Sequence, residues 1–166
     1  MGRVILSGLA MSLLAGPGWA QAQNSAPDSR TVLGGGNDLL ASGALALRAG
    51  AYDEGIRLTN LGLESRESST HERAAALSNL CAAYAAKEIP DTAIRFCTES
   101  LAIEAGNWRA YSNRAYAYWL KGMLAEARFD LDAAAAISPR SRQVLQIRGM
   151  INEAGLRPRI TMEDHQ

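Results

Sequence analysis

Residues 108–141 read WRAYSNRAYAYWLKGMLAEARFDLDAAAAISPRS, and this stretch decides the fold of the chain. On both sides of Gly122, apolar side chains recur at three- and four-residue intervals, as they do on the buried face of an amphipathic helix. Gly122 marks a tight turn, and Pro139 is typical of the end of a helix. The stretch therefore predicts two helices that pack as a hairpin.

A weaker copy of this stretch lies 34 residues upstream, where Asn79 corresponds to Asn113 and Tyr84 corresponds to Tyr118. A fixed period of this length is typical of helical repeat arrays. A third copy precedes the other two, displaced by four further residues that a polar connector absorbs. The predicted repeats are residues 36–69, 74–107 and 108–141.

The chain outside the repeat motif also favours helices. No segment alternates apolar and polar residues with period two, so we predict no strand. Asn37 or Asp38 is placed to cap the first helix, and Pro90 suits a first helical turn. Ser69 with Glu72 fits a capping box. The predicted helices cover 38–49, 52–66, a third segment ending near 87, 90–105, two segments within 108–141, and a seventh over 139–155.

Small residues occupy the positions at which the two helices of each hairpin should touch. Gly43, Cys81 and Ala115 share one such position on the first helices. An unrelated Ala-rich bundle gives no reason for small residues in register three times, so the pattern favours stacked hairpins that bury one another's faces. The second helices contribute two further positions of this kind, held by Gly55, Ala93 and Ala127 and by Gly62, Ser100 and Ala134.

Three motifs resemble the tetratricopeptide repeat (TPR). The segments GAYDEGI at 50–56 and GMLAEA at 122–127 are similar to its turn and second-helix start. The segment NRAYAY at 113–118, with Pro139 further on, is similar to its first helix and terminator. The resemblance implies an all-α, right-handed α-solenoid of about three helix hairpins over residues 36–155, with residues 139–155 as a capping helix. A truncated fourth repeat is the alternative reading of that last helix.

The chain departs from the family pattern in two places. The second repeat has Glu88, Ile89 and Pro90 where a turn glycine is usual, and the first has Thr59 where an aromatic or apolar residue is usual. The expected capping surface of the seventh helix consists of Val144, Leu145, Ile147 and Ile151.

In this family, the first helices line a concave groove that binds an extended peptide or a partner helix. The resemblance implies that Asn79 and Asn113 lie one above the other, with amides suited to a peptide backbone. The alternative is that these side chains only fix the contact between repeats. Tyr116 and Trp119 would form an aromatic wall. The predicted groove residues are Ser78, Asn79, Arg109, Ser112, Asn113, Tyr116 and Trp119.

The resemblance and the repeat geometry it implies lead to two further expectations. The carboxylate-clamp form of the family needs basic residues where this chain has Leu40, Ala44 and Ile147, so we do not expect that specificity. Cys81 and Cys97 lie about two turns before and after one bend, which allows the ~4.4–6.8 Å Cα separation of a disulfide. An oxidising compartment favours that bond, and two buried thiols are the alternative.

The N-terminus predicts export. Arg3 precedes an uncharged, mostly apolar run over residues 4–16, and small residues surround a cut after Ala20 or Ala22, as in a cleavable signal peptide. The run is shorter than the ~20 residues needed to span a bilayer. We therefore expect a periplasmic or secreted protein with a signal peptide at 1–22, a flexible leader at 23–36 and a disordered tail at 156–166.

Composition and motifs argue against catalysis and nucleic-acid binding. The 17 basic and 17 acidic residues give no net charge, so there is no electrostatic case for nucleic acid. His71 and His165 lack catalytic partners in sequence, and no metal-ligand spacing or phosphate loop is present. We expect no cofactor, no metal and a solvated Asp130. The leading interpretation is a protein-binding module, and the alternative is a structural or self-assembling scaffold of the cell envelope.

Overall fold

The computed structural model describes residues 37–65 and 68–156, and the predicted signal peptide, leader and tail beyond Leu156 lie outside the described residues. Within the described residues, none of the helices is both long and apolar enough to cross a membrane. The helices are α1 (Asp38–Arg48), α2 (Tyr52–Glu64), α3 (Thr70–Ala86), α4 (Pro90–Ile103), α5 (Trp108–Leu120), α6 (Leu124–Ile137) and α7 (Arg142–Leu156).

The helix starts agree with the capping residues that the sequence predicts. The Asn37 side chain accepts hydrogen bonds from the backbone N–H groups of Leu39 and Leu40. The Ser69 hydroxyl accepts from the N–H of Glu72, whose carboxylate accepts from the N–H of Ser69. These contacts satisfy N–H groups that have no partner inside the helix. The predicted first caps of α1 and α3 are therefore confirmed.

The helices form three antiparallel hairpins that stack in chain order. Each hairpin joins a first helix (α1, α3 or α5) to a second helix (α2, α4 or α6), and α7 packs on α5 and α6. The first helices pack side by side with α7, whereas in the described part of the chain no Cα atom of one second helix lies within 8 Å of a Cα atom of another. We call the continuous surface of α1, α3, α5 and α7 the inner row. Closer contact along this row makes it the concave side of the α-solenoid.

Two buried clusters form the centre of the array. One lies between the second and third hairpins and contains Cys81, Ala93 and Ala117. The other joins the third hairpin to α7 through Leu131 and Ile147. Because each cluster draws on two neighbouring units, no hairpin buries its apolar face alone.

All three hairpin bends have a residue with left-handed backbone conformation. Gly50 and Gly122 have φ values of 80° and 72°, and Glu88 has φ of 57° at the equivalent place in the second hairpin. A left-handed conformation at a residue with a Cβ costs about 1–2 kcal/mol. The second hairpin therefore keeps the bend geometry despite its missing glycine, with some local strain.

The last helix differs from its prediction at two points. It begins at Arg142, not at Pro139, because Ser138–Ser141 forms a turn closed by the Ser141 N–H to Ser138 carbonyl hydrogen bond. Leu145 is 54% exposed and does not take part in capping, whereas Gln143 is buried. Val144, Ile147 and Ile151 are buried as predicted.

Thr59 is accommodated by the glycine that faces it across the first hairpin. A Cβ at Gly43 would lie 2.5 Å from the Thr59 Oγ1 and 2.9 Å from its backbone nitrogen. The Thr59 hydroxyl donates to the Gly55 carbonyl at 2.7 Å, so its polar atom is satisfied in the core. The absence of a side chain at Gly43 therefore compensates for the unusual residue at Thr59.

This close approach predicts opposite effects for two glycine-to-alanine variants. Gly43→Ala is expected to lower the free energy of unfolding by about 1–2 kcal/mol, because overpacking outweighs the gain in helix propensity. Gly149→Ala, where no described atom lies within 4 Å of the new Cβ, should raise it by about 0.5–1 kcal/mol. Urea unfolding followed by circular dichroism measures both. Equal shifts in the two variants would contradict the close packing of α1 on α2.

Candidate functional site

The inner row carries the predicted groove residues, and the structure divides them into buried and accessible sets. Ser112 is fully buried, and its hydroxyl donates to the Trp108 carbonyl at 3.0 Å. Ser78 is also buried, and its side-chain and backbone oxygens both accept from Asn113. These two serines lie beneath the surface, so the structure does not place them where a peptide could contact them.

Asn113 is the centre of a hydrogen-bond chain across three helices. Its amide nitrogen donates to the Ser78 carbonyl at 3.1 Å, and its amide oxygen accepts from the Gln143 side chain at 2.6 Å. Only 6% of Asn113 is exposed. Both ends of the amide are therefore engaged in joining α3, α5 and α7, which is the inter-repeat role that the sequence left open. Asn79, one repeat earlier, is buried to the same degree.

Tyr116 and Trp119 form the accessible aromatic surface of the inner row. Both side chains are half-buried, and their rings stack with centroids 5.7 Å apart. Partial burial, with smaller contributions from Glu88 and Tyr52, raises the pKa of the Tyr116 phenol. The phenol therefore stays neutral near pH 7 and can donate a hydrogen bond.

The same helix presents a second aromatic group at its start. Arg109 lies over the Trp108 ring, with its guanidinium carbon 4.4 Å from the ring centroid, and both residues are half-buried. Stacking on the ring holds the planar guanidinium in a fixed orientation. Helix α5 therefore carries an Arg–Trp pair at its first turn and a Tyr–Trp pair near its last.

A buried ion pair on the other side of α5 was not predicted. The Arg114 guanidinium donates to both carboxylate oxygens of Asp130, at 2.6 and 2.8 Å, and Asp130 is 1% exposed. The hydrogen bonds to Asp130 raise the pKa of Arg114, against the opposing effect of burial. The expectation of a solvated Asp130 is therefore wrong, because the hairpin folds the carboxylate inward against Arg114.

The spacing of residues within the repeats could have predicted this pair. Arg114 and Asp130 are separated by 16 residues, the same separation as Cys81 and Cys97. In a hairpin of this length, that separation brings a first-helix residue opposite a second-helix residue. Opposite charges at this spacing therefore predict a pair across the hairpin.

Cys81 and Cys97 are joined by a disulfide between α3 and α4, with Cα atoms 5.3 Å apart and both residues fully buried. The same two positions hold Gly43 and Thr59 in the first hairpin and Ala115 and Leu131 in the third. The same contact between first and second helix is therefore made by a different pair of residues in each hairpin. The second hairpin is the one with a covalent link.

His71, at the start of α3, contacts Glu104 beyond the end of α4, with Nδ1 to Oε2 at 3.0 Å. Both groups are exposed, and the contact links the open ends of one hairpin. No cluster of three or more His, Cys, Asp or Glu side chains suited to a metal occurs among residues 37–65 and 68–156.

The geometry defines a class: a TPR-type solenoid of helical hairpins with an accessible inner row. Solved structures of this class superpose on the chain. The first TPR domain of human RPAP3 has a TM-score of 0.62 at 22% identity, covering 70% of this chain and 88% of that domain. The TPR domain of P58(IPK) has a TM-score of 0.62 at 25% identity, covering 73% and 35%. A TPR domain of Spaghetti (RPAP3) bound to the HSP90 peptide SRMEEVD has a TM-score of 0.61 at 21% identity, covering 71% and 91%.

Sequence comparison finds two curated relatives over part of the chain. The chain is 28% identical over 108 residues to mouse DnaJ homolog subfamily C member 3, covering 65% of this chain and 21% of that protein. The rat protein of the same name is 27% identical over the same length. The chain therefore spans about a fifth of the length of these curated relatives. No family model matches the sequence.

Proposed function

We propose that this chain is a non-catalytic interaction module that binds an extended segment or a helix of a partner protein on its inner row. The observation that carries the proposal is the stacked Tyr116–Trp119 pair on α5, which is partly exposed while it packs against the core. Aromatic side chains of this kind dominate binding energy at protein interfaces, because they bury a large apolar area with little loss of rotamer freedom.

The preceding first helix carries small side chains beside this aromatic pair. At the positions one repeat earlier, α3 has Ala82 and Ala85, whose side chains end at the first carbon. One repeat later, α7 has Met150 and Glu153. Both alanines are buried, and Tyr116 packs against the cluster that contains Ala85. The small side chains therefore allow the Tyr116 ring to lie close to α3, and this contact orients the ring for a ligand.

Related structures support peptide binding by this fold, and the residues of this chain argue against the carboxylate-clamp specificity. Spaghetti (RPAP3) is bound to an HSP90 peptide, and the second TPR domain of human RPAP3 is in complex with the HSP70 peptide SGPTIEEVD. This chain has Leu40 and Ala44 where a carboxylate clamp needs basic residues, and both are buried. We infer a ligand held by apolar contacts to Tyr116 and Trp119, with Arg109 as a cationic neighbour.

We further propose that the module acts in an oxidising compartment outside the cytoplasm. The disulfide geometry of Cys81 and Cys97 supports this placement, because disulfides persist in secreted and periplasmic proteins. The signal-peptide pattern of residues 1–22 supports it independently.

The second candidate is a structural scaffold without a dedicated peptide site. The chain Ser78–Asn113–Gln143 favours it, because the side chain expected to read a peptide backbone instead joins three helices. The two candidates differ in the role of the aromatic pair, which is dispensable for a scaffold.

Affinity capture from an envelope extract tests the proposal. We expect Tyr116→Ala with Trp119→Ala to lose partner binding by at least about tenfold, since hot-spot truncations cost about 2 kcal/mol or more. The matched control is Phe129→Ala on the outer helix α6, where the ring is 74% exposed. Thermal melts establish that all variants fold. If the double variant still captures the partner, or if Phe129→Ala loses it, the result would favour binding at another surface or the scaffold function.

A further inference from the structure

Within the described residues, α7 is not followed by a second helix, whereas α1, α3 and α5 each are. Helix α7 continues the 34-residue register of α5, so that Leu145, Arg148 and Gly149 correspond to Tyr111, Arg114 and Ala115. Ala115 is fully buried between α5 and α6. At Gly149, in contrast, no described atom lies within 4 Å of where a Cβ would be. We call the uncovered side of α7 its open face, formed by Leu145, Arg148, Gly149, Asn152 and Leu156.

The open face is apolar at its two ends and cationic in the middle. Leu145 and Leu156 are 54% and 83% exposed, and both lie on the side of α7 that faces away from its packed side. Gly149 between them removes the side chain that would keep a second helix at a distance. The shape therefore fits a helix that approaches closely.

Arg148 makes one of the two contacts that Arg114 makes. Arg114 reaches back to Thr98 on the preceding second helix, at 3.0 Å, and forms its bidentate pair with Asp130 on its own second helix. Arg148 reaches back to Asp132 on the preceding second helix, at 4.0 Å, and its side chain is 45% exposed. Among the described residues, Arg148 therefore has no counterpart of the Arg114–Asp130 pair, in which the arginine binds a carboxylate on the second helix of its own hairpin.

We propose that the open face of α7 binds an amphipathic helix of a partner protein, in the place of a second repeat helix. The helix presents a carboxylate for Arg148 and, one residue further along, an apolar side chain opposite Gly149, as Asp130 and Leu131 do in α6. Apolar side chains of the same helix cover Leu145 and Leu156. This surface shares no residue with the proposed peptide site on α5, so the inference does not rest on that site.

Helix α6 itself supplies the probe, because its sequence already satisfies these requirements against α5. A peptide copying residues 123–138 is titrated into the isotope-labelled full chain, and amide shifts are followed by NMR. We expect saturable shifts centred on Leu145, Arg148, Gly149 and Asn152. Gly149→Leu should weaken binding by about tenfold or more while leaving the fold intact, because its side chain points into open space.

A charge exchange tests the carboxylate requirement. The peptide variant Asp130→Arg should lose about tenfold in affinity for the unchanged chain and regain it for the Arg148→Asp chain. The absence of saturable shifts, shifts elsewhere, or indifference to Gly149→Leu overturns the proposal. The proposal is also overturned if the peptide binds only after residues 157–166 are deleted. In that case, this segment of the chain itself would occupy the open face. If the chain forms concentration-dependent dimers and Gly149→Leu abolishes them, the occupant of the open face is a second copy of this chain and not a partner helix.

Discussion

Replacing Asp130 with alanine is expected to lower the free energy of unfolding by about 3 kcal/mol. The substitution leaves the Arg114 guanidinium at a largely buried site without its bidentate partner, and breaking such a pair costs about 3–5 kcal/mol. The Arg114 side chain is 16% exposed, which allows some rehydration and places the expected loss at the lower end. Denaturant unfolding followed by circular dichroism measures the change.

Asp132 provides the control for this prediction. It lies on the same helix, 80% exposed and 4.0 Å from Arg148, and exposed pairs contribute about 0–1 kcal/mol. Asp132→Ala should therefore change stability by no more than about 0.5 kcal/mol. Adding Arg114→Met to Asp130→Ala should recover part of the loss, because no unpaired charge then remains. Equal effects of Asp130→Ala and Asp132→Ala would show that the buried pair does not stabilise the fold.

Breaking the Cys81–Cys97 bond is expected to lower the free energy of unfolding by about 3 kcal/mol. Cross-linking two residues that close a loop of this length limits the conformational freedom of the unfolded chain by about that amount. The untreated protein should show no free thiol when titrated under denaturing conditions. Unfolding with and without reductant then gives the stabilisation directly.

The third hairpin supplies a control that separates the bond from its packing. Cys81→Ala with Cys97→Leu copies the Ala115–Leu131 contact of that hairpin. This variant should be about as stable as the reduced protein and should not respond to reductant. Two free thiols in the untreated protein, or a reductant effect that persists in the variant, would contradict the prediction.

Much of the fold followed from local patterns along the chain. The 34-residue period places equivalent residues at equivalent points of each hairpin, and the small residues at those points are a direct requirement of close helix packing. Caps such as Asn37 and Ser69 depend on neighbours within three residues, so they could be read without tertiary information. The observed helix ends differ from the predicted ones by up to three residues. The largest difference is at Pro139, because proline is favourable both in a turn and at the first position of a helix.

The candidate site was less predictable than the fold. Asn113 has the same position in a repeat whether it faces a peptide or a neighbouring helix, and a single sequence does not distinguish the two. Its orientation depends on Gln143, which lies 30 residues away on a different helix. Asp130 was misassigned for a related reason: its partner is not a neighbour on the same helix but Arg114, which lies 16 residues earlier and is brought against it by folding of the hairpin.

The repeat period, the small contact positions and the caps specified an all-α array of hairpins, because each depends on spacing along one chain. Which polar side chains are used to hold the array together depended on contacts between helices distant in sequence. Buried amides and charges take the partners that packing brings to them, since leaving them unpaired costs more than most local preferences. In residues 108–141, the spacing defined the hairpin, and the packed structure assigned Asn113 and Asp130 to its interior and left Tyr116 and Trp119 accessible.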